Sequence, residues 1–152
     1  GRVCERKGTQ TLCMERSYHR LWCRPRHHEA TDADVYCWQP AEAAVAKAKK
    51  EGMNSIYTPW GPYYINRKQG NSEQDPPNAG DGSDHVQNTY NRNIPDGVTR
   101  GIQGTFWCEN VSNADLMEWS ALPRLIAIAE RGWTPEANKD FSDFQKRMSL
   151  TP

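Results

Sequence analysis

The sequence has no apolar run approaching the length that crosses a bilayer, about 18 residues, and no net charge, since Lys plus Arg and Asp plus Glu each total 19. The first absence predicts no membrane span. The second removes the basic footprint by which a domain is drawn to nucleic acid or to an anionic membrane surface. No Cys-x-x-Cys pair occurs, which argues against a zinc ribbon or a thioredoxin-like centre. The opening residues lack the apolar stretch of a secretory signal. No internal repeat is visible, and nothing points to a cofactor or to a resident metal.

The 152 residues are enough for one domain with one core. Five cysteines (Cys4, Cys13, Cys23, Cys37 and Cys108) leave at least one unpaired within the chain. Cys23 with His27 and His28 is at most half a metal site. Six Trp, six Tyr and three Phe are present, several beside Gly, Pro and polar residues. Aromatic faces in polar surroundings suit a pyranose, whose C–H face stacks while its hydroxyls take hydrogen bonds.

Residues 1–33 form an Arg-, Cys- and His-rich lead-in with no sustained period of 2 or 3.6, and no element is read there. The text changes at Asp34, so residues 34–152 are read as the folded portion. Asp34 to Trp38 reads as a short buried strand. Pro40 opens a helix. Its apolar stripe is Ala41, Ala44, Val45 and Ala48, its C-terminal end is lysine-rich, and Gly52 follows as the C′ residue. Asn54 to Thr58 is a second strand. Strand, helix and strand make a βαβ unit with parallel strands.

Residues 67–97 read as one long polar loop, usually functional or solvated. Asp81 and Asp84 offer oxygens for a calcium ion, but their spacing does not match an EF-hand loop, and a solvated loop is the simpler reading. Gly101 to Trp107 reads as a third strand. Ser112 to Asp115 resembles a capping box. A long helix is expected to follow to Arg131, apolar at Leu122, Leu125, Ile126 and Ala129, kinked or split by Pro123 and ended by Gly132. Thr134 and Pro135 precede a last helix with Phe141, Phe144 and Met148 on one face. The order is that of an α/β chain with parallel strands.

In such folds chemistry gathers at the C-terminal ends of the strands. That rule selects Trp38, the segment Trp60 to Asn66 with Tyr63 and Tyr64, and Trp107 with Glu109. Two indoles, a phenol and a carboxylate suit the gripping of one sugar ring, with Glu109 accepting hydroxyl hydrogen bonds in a charge-assisted way. The same indoles would equally fill a barrel interior, and Glu109 would equally suit the N-terminal end of the next helix.

Gly101-Ile-Gln-Gly-Thr-Phe-Trp-Cys-Glu109, followed by Leu122-Pro-Arg-Leu-Ile-Ala-Ile-Ala-Glu-Arg-Gly-Trp133, resembles the closing strand and helix of the family 20 glycoside hydrolases, the β-N-acetylhexosaminidases. Their pattern is Gly-x-Gln-x-x-x-Trp-x-Glu, then Pro-Arg-x-x-Ala-x-Ala-Glu-x-x-Trp. Tyr36-Cys-Trp38, the helix from Pro40 to Gly52, and Tyr63-Tyr-Ile-Asn66 resemble the sixth and seventh strand regions in the same order. The resemblance covers residues 34 to 148 and implies the C-terminal part of a (β/α)8 TIM barrel, incomplete in 152 residues.

The resemblance implies hydrolysis of terminal non-reducing N-acetylhexosamine from β-linked glycans by a retaining, substrate-assisted route, one of the exceptions to the two-carboxylate scheme. It makes Trp38 and Trp107 walls of the pocket. Tyr64 would orient the substrate's acetamido carbonyl, and Glu109 would hold the 4- and 6-hydroxyls. Asn66 stands where the family usually has Asp and keeps an acceptor without the charge. Arg124, Glu130 and Trp133 match the pattern as structural residues. The catalytic Asp-Glu pair of the family's His-x-Gly-x-Asp-Glu motif has no counterpart, because the chain has no Asp-Glu dipeptide. The rest of the barrel would then come from a longer parent chain or a partner, or the open edges would pair in a homodimer. A sugar-binding module without turnover and an inert remnant are the rival readings. The Asn110-Val-Ser112 sequon is read as coincidence.

Overall fold

The structure is a computed structural model that describes residues 12–14, 34–70, 73, 75 and 83–149. Its elements are β1 (Leu12–Met14), β2 (Asp34–Cys37), α1 (Ala41–Lys50), β3 (Asn54–Tyr57), α2 (Val86–Asn91), β4 (Gly101–Ile102), α3 (Ala114–Ala121), α4 (Arg124–Trp133), a 3-10 turn at Glu136–Asn138, and α5 (Phe141–Ser149). They fall into two compact units. One comprises Gly1–Trp60 with Ile94–Gln103; the other comprises Gly61–Asn93 with Gly104–Pro152.

The first unit is a parallel sheet in the order β1-β2-β3-β4. Strand β1 lies within the lead-in where no element was legible. In β2, Asp34, Val35 and Cys37 are buried, the near-continuous burial expected of a parallel strand covered on both faces. The α1 stripe of Ala41, Ala44, Val45 and Ala48 is buried as its spacing requires. Removing Val45 from water alone contributes about 1.5–3 kcal/mol. Helix α1 closes at Glu51, and Gly52 takes the left-handed conformation at φ +69°. The Tyr57 hydroxyl donates to Glu42 Oε1 at 2.7 Å, tying β3 to α1. A second glycine is demanded by the backbone: Gly97 has φ +104°, and a Cβ there would also crowd Lys49 Cδ at 2.8 Å.

The second unit is built on a cluster of Tyr90, Ala127 and Phe144, with Val86, Phe141 and Met148 packed against it. Tyr90 and Phe144 stack with ring centroids 4.8 Å apart. The expected face of the last helix is therefore the packed one. Arg131 is buried with its guanidinium 5.8 Å from the Tyr90 ring centroid, and it pairs with Glu136.

Several sequence expectations are corrected. Residues 67–97 are not all loop, since α2 forms there and buries Thr89 and Tyr90. The strand expected over Gly101 to Trp107 is confined to Gly101–Ile102, with one further bridge between Tyr64 and Thr105. The helix cap is Asn113, whose Oδ1 accepts from the Leu116 amide at 2.8 Å, not Ser112. Pro123 splits the long helix into α3 and α4, as expected. Gly132 does not end α4, which runs on to Trp133 with Thr134 as its C-cap.

The buried face of α4 is Arg124, Ala127, Ile128 and Arg131, whereas Leu122, Leu125, Ile126 and Ala129 are exposed. The two arginines go inward because acceptors await their guanidinium groups, while their alkyl stems pack like hydrocarbon. Gly104 fixes the approach, since a Cβ there would lie 2.9 Å from Ile128 Cδ1. Trp133, read as structural, is 90% exposed. No helix among the described residues is long and apolar enough to cross a membrane.

Candidate active site

Four of the five residues singled out for sugar contact belong to the second unit: Tyr64, Asn66, Trp107 and Glu109. Trp38 belongs to the first, half-buried in the turn after β2, where its carbonyl accepts from the Trp60 amide at 2.8 Å.

Within the second unit, backbone bonds bring the 63–66 segment beside residue 105. The Thr105 amide donates to the Tyr63 carbonyl at 2.8 Å, and the Ile65 amide donates to the Thr105 carbonyl at 2.9 Å. Trp107 follows two residues later. Its indole N–H, which can only donate, hydrogen-bonds the Tyr64 hydroxyl. Burial pushes the Tyr64 phenol above its ordinary pKa of 10.0, and the Trp107 bond pulls the other way. The phenol therefore stays protonated at neutral pH. A phenol oxygen that accepts from an indole still carries its own O–H donor.

Trp107 is 41% exposed and lies outside any strand, as does Glu109, which sits exposed in a turn. The argument that they share one side of a continuing strand is thus replaced by a loop that leaves both accessible. Asn66 Oδ1 is shut away from solvent and has no hydrogen-bond partner among the described residues. An unmatched buried acceptor costs about 1–3 kcal/mol.

The residues that hold this segment were not picked out as functional from the sequence. Arg124, fully buried, donates through Nη2 to the carbonyls of Ile65 at 2.5 Å and Ser120 at 2.6 Å. Burial lowers its pKa to about 10, while Asp84 and Asp75 hold it up. Arg67 pairs with Asp84 at 2.6 Å. Asp75 accepts from the amides of Gln69 and Gly70 at 2.8 and 3.1 Å and from Trp119 Nε1 at 3.2 Å. The Gln69 side chain reaches back to the carbonyls of Trp119 and Leu122. Their one sequence signal was an arginine directly after Pro123, ahead of the apolar run Leu125 to Ala129.

Asp84 is engaged by Arg67, which removes it from the calcium reading, and Asp81 lies outside the described residues. Cys23, His27 and His28 lie outside them too. Among the described residues, no group of three or more His, Cys, Asp and Glu comes together to hold a metal. Cys37 is buried, with its thiol donating to the Val35 carbonyl at 3.6 Å, and Cys108 is an exposed free thiol.

A small parallel sheet with helices, and aromatic side chains beyond its strands, is the α/β architecture of the TIM-barrel glycosidases. Solved structures similar to this chain have that fold. The GH20 β-N-acetylhexosaminidase from Streptomyces coelicolor A3(2) matches with a TM-score of 0.62 and 26% identity over 75% of this chain and 26% of its own. A mutant Streptomyces plicatus β-hexosaminidase in complex with its product GlcNAc matches with a TM-score of 0.61 and 27% identity, over 74% of this chain and 25% of its own.

Residues 8–136 match the model of glycosyl hydrolase family 20, catalytic domain, and the chain belongs to that family. The match begins well before Asp34 and takes in most of the lead-in. Among curated relatives, a β-hexosaminidase of Porphyromonas gingivalis is 31% identical over 127 residues, and one of Akkermansia muciniphila is 26% identical over 125. The chain aligns with 78% and 76% of its own length but spans only 16% and 25% of theirs.

Proposed function

We propose that this chain supplies part of the sugar pocket of a β-N-acetylhexosaminidase, an enzyme removing terminal non-reducing N-acetylhexosamine from β-linked glycans. The observation that carries the reading is the Trp107-to-Tyr64 hydrogen bond, which joins an exposed stacking face to a protonated donor. Trp107 stacks on the ring. The Tyr64 O–H holds the acetamido carbonyl, whose oxygen attacks the anomeric carbon in a retaining, substrate-assisted reaction. Glu109 accepts from the 4- and 6-hydroxyls. Asn66 Oδ1 gains a partner when its side chain turns outward to meet a sugar hydroxyl. The P. gingivalis relative's name and the product complex of the S. plicatus enzyme support this substrate class.

The general acid is not among these residues. The barrel is incomplete in this chain, and the remaining strands, with the catalytic Asp-Glu pair, come from a longer polypeptide or a partner. Residues 34–152 are then the C-terminal portion of that barrel. The absence of an Asp-Glu dipeptide favours a second reading for the chain by itself: a pocket that binds sugar without turnover. The test is an assay of the purified chain on a chromogenic N-acetyl-β-glucosaminide, beside calorimetry with N-acetylglucosamine, for wild type and Tyr64→Phe. Turnover that falls in the variant supports the enzyme reading. Binding without turnover supports the pocket alone. Neither binding nor turnover overturns both.

A further inference from the structure

The geometry points to Arg124 as a positioning residue for the sugar site, one that fixes the main chain on which Tyr64 and Asn66 are mounted. The inference rests on the reading of those two residues as sugar contacts. Arg124 lies on α4, behind the segment rather than in the pocket. Its Nη2 donates to the Ile65 carbonyl at 2.5 Å, the carbonyl of the peptide that joins residue 65 to Asn66. Its Nη1 reaches the Asp84 carbonyl at 3.5 Å. Asp84 completes the hold, since its carboxylate accepts from Arg67 Nε at 2.6 Å and its amide donates to the Lys68 carbonyl at 2.8 Å. Residues 65, 67 and 68 are thus tied on both sides of Asn66. From the opposite direction, the Ile65 amide is tied to Thr105, two residues before Trp107.

The residue type is informative. A joint between two helices that needed only filling would take Leu or Met, because a fully buried charge is costly to desolvate. A guanidinium is retained where its planar fork meets several acceptors at once, which a lysine ammonium on a flexible stem does not reproduce. One acceptor, the Ser120 carbonyl at 2.6 Å, belongs to the last turn of α3 and is a purely structural cap. The Ile65 and Asp84 carbonyls belong to the segment under the site. The two roles are therefore separable by experiment.

The test uses the full 152-residue chain as wild type, Arg124→Lys, Asn66→Ala and the double variant. N-acetylglucosamine binding is followed by Trp fluorescence, and amide exchange is followed at residues 64–68. Arg124→Lys is expected to weaken binding about tenfold in the wild-type background and by clearly less when Asn66 is already Ala, the signature of action partly through that residue. Exchange should quicken at residues 65–68 while the Tyr90 and Phe144 amides keep their protection. Equal loss of binding in both backgrounds, or no local change in exchange, overturns the inference and leaves the sugar reading standing. A wild-type chain that binds no N-acetylglucosamine overturns the sugar reading and the inference with it.

Discussion

The Tyr90 hydroxyl donates to Glu130 Oε1 at 3.0 Å, and the same carboxylate takes both Arg147 terminal nitrogens at 2.7 Å. Arg147, then Tyr90, hold the Glu130 carboxyl below its ordinary value of 4.5 against the opposing effect of burial. A depressed folded pKa stabilises the fold above the unfolded value and ceases to do so as pH falls through the folded one. Acid melts below pH 4.5 should therefore show a steeper loss for wild type than for Glu130→Gln. Because Arg147 is half exposed, the difference should be about 1 kcal/mol or less. Parallel acid melts of the two proteins would discard this account.

Tyr64→Phe removes one hydroxyl and little volume. Thermal stability should change by no more than about 1 kcal/mol, since a buried neutral hydrogen bond contributes about that much. N-acetylglucosamine binding should weaken about tenfold, the equivalent of 1.4 kcal/mol. With the phenol pushed above 10.0 by burial, binding should show no Tyr64 titration between pH 6 and about 9. Unchanged binding by calorimetry would remove Tyr64 from the site.

Glu109 separates a sugar contact from a surface charge. It is exposed in a turn, so Glu109→Gln should leave the melting temperature within about 2 °C of wild type. Loss of charge-assisted bonds to two hydroxyls should raise the Kd for N-acetylglucosamine about 10- to 100-fold. A Kd within twofold of wild type would assign Glu109 to the solvated surface.

Phe144→Ala should cost about 3–5 kcal/mol, because it empties the centre of the Tyr90, Ala127 and Phe144 cluster. Trp133→Ser, at a position 90% exposed, should cost under about 0.5 kcal/mol. Denaturant midpoints for the pair would check both. A cost at Trp133 as large as at Phe144 would mean that its indole is covered in solution.

Strands β2 and β3 and helix α1 were legible because their signals are local: a period, a proline at the start and a glycine beyond the end. Helix α2 was not, because Val-Gln-Asn-Thr-Tyr-Asn is short and mostly polar and the packing partners of Tyr90 lie far ahead in the chain, at Ala127 and Phe144. The inward face of α4 was misread for a related reason. Periodicity counts Leu125 and Ile126 as core and arginine as surface, but Arg124 and Arg131 find acceptors that no pattern of side chains announces. The closing strand is confined to Gly101–Ile102, and a Cβ at Gly104 just beyond it would crowd Ile128 Cδ1. At the site, Tyr64 and Trp107 were selected by their place beyond the strand ends and given roles by family resemblance, and their hydrogen bond joins residues forty-three apart in sequence. The clamp behind them was invisible for a plain reason: its acceptors are main-chain carbonyls, which every residue has.

The hold on residues 65–68 is made by the Ile65 amide and carbonyl, the Lys68 carbonyl and the Arg67 side chain. None of them depends on which side chain stands at 66. That position therefore behaves as a socket, open to exchange without re-laying the chain beneath it. On the proposed sugar reading, a single codon there would retune sugar preference, and an engineer wishing to change what the chain binds would begin a library at Asn66.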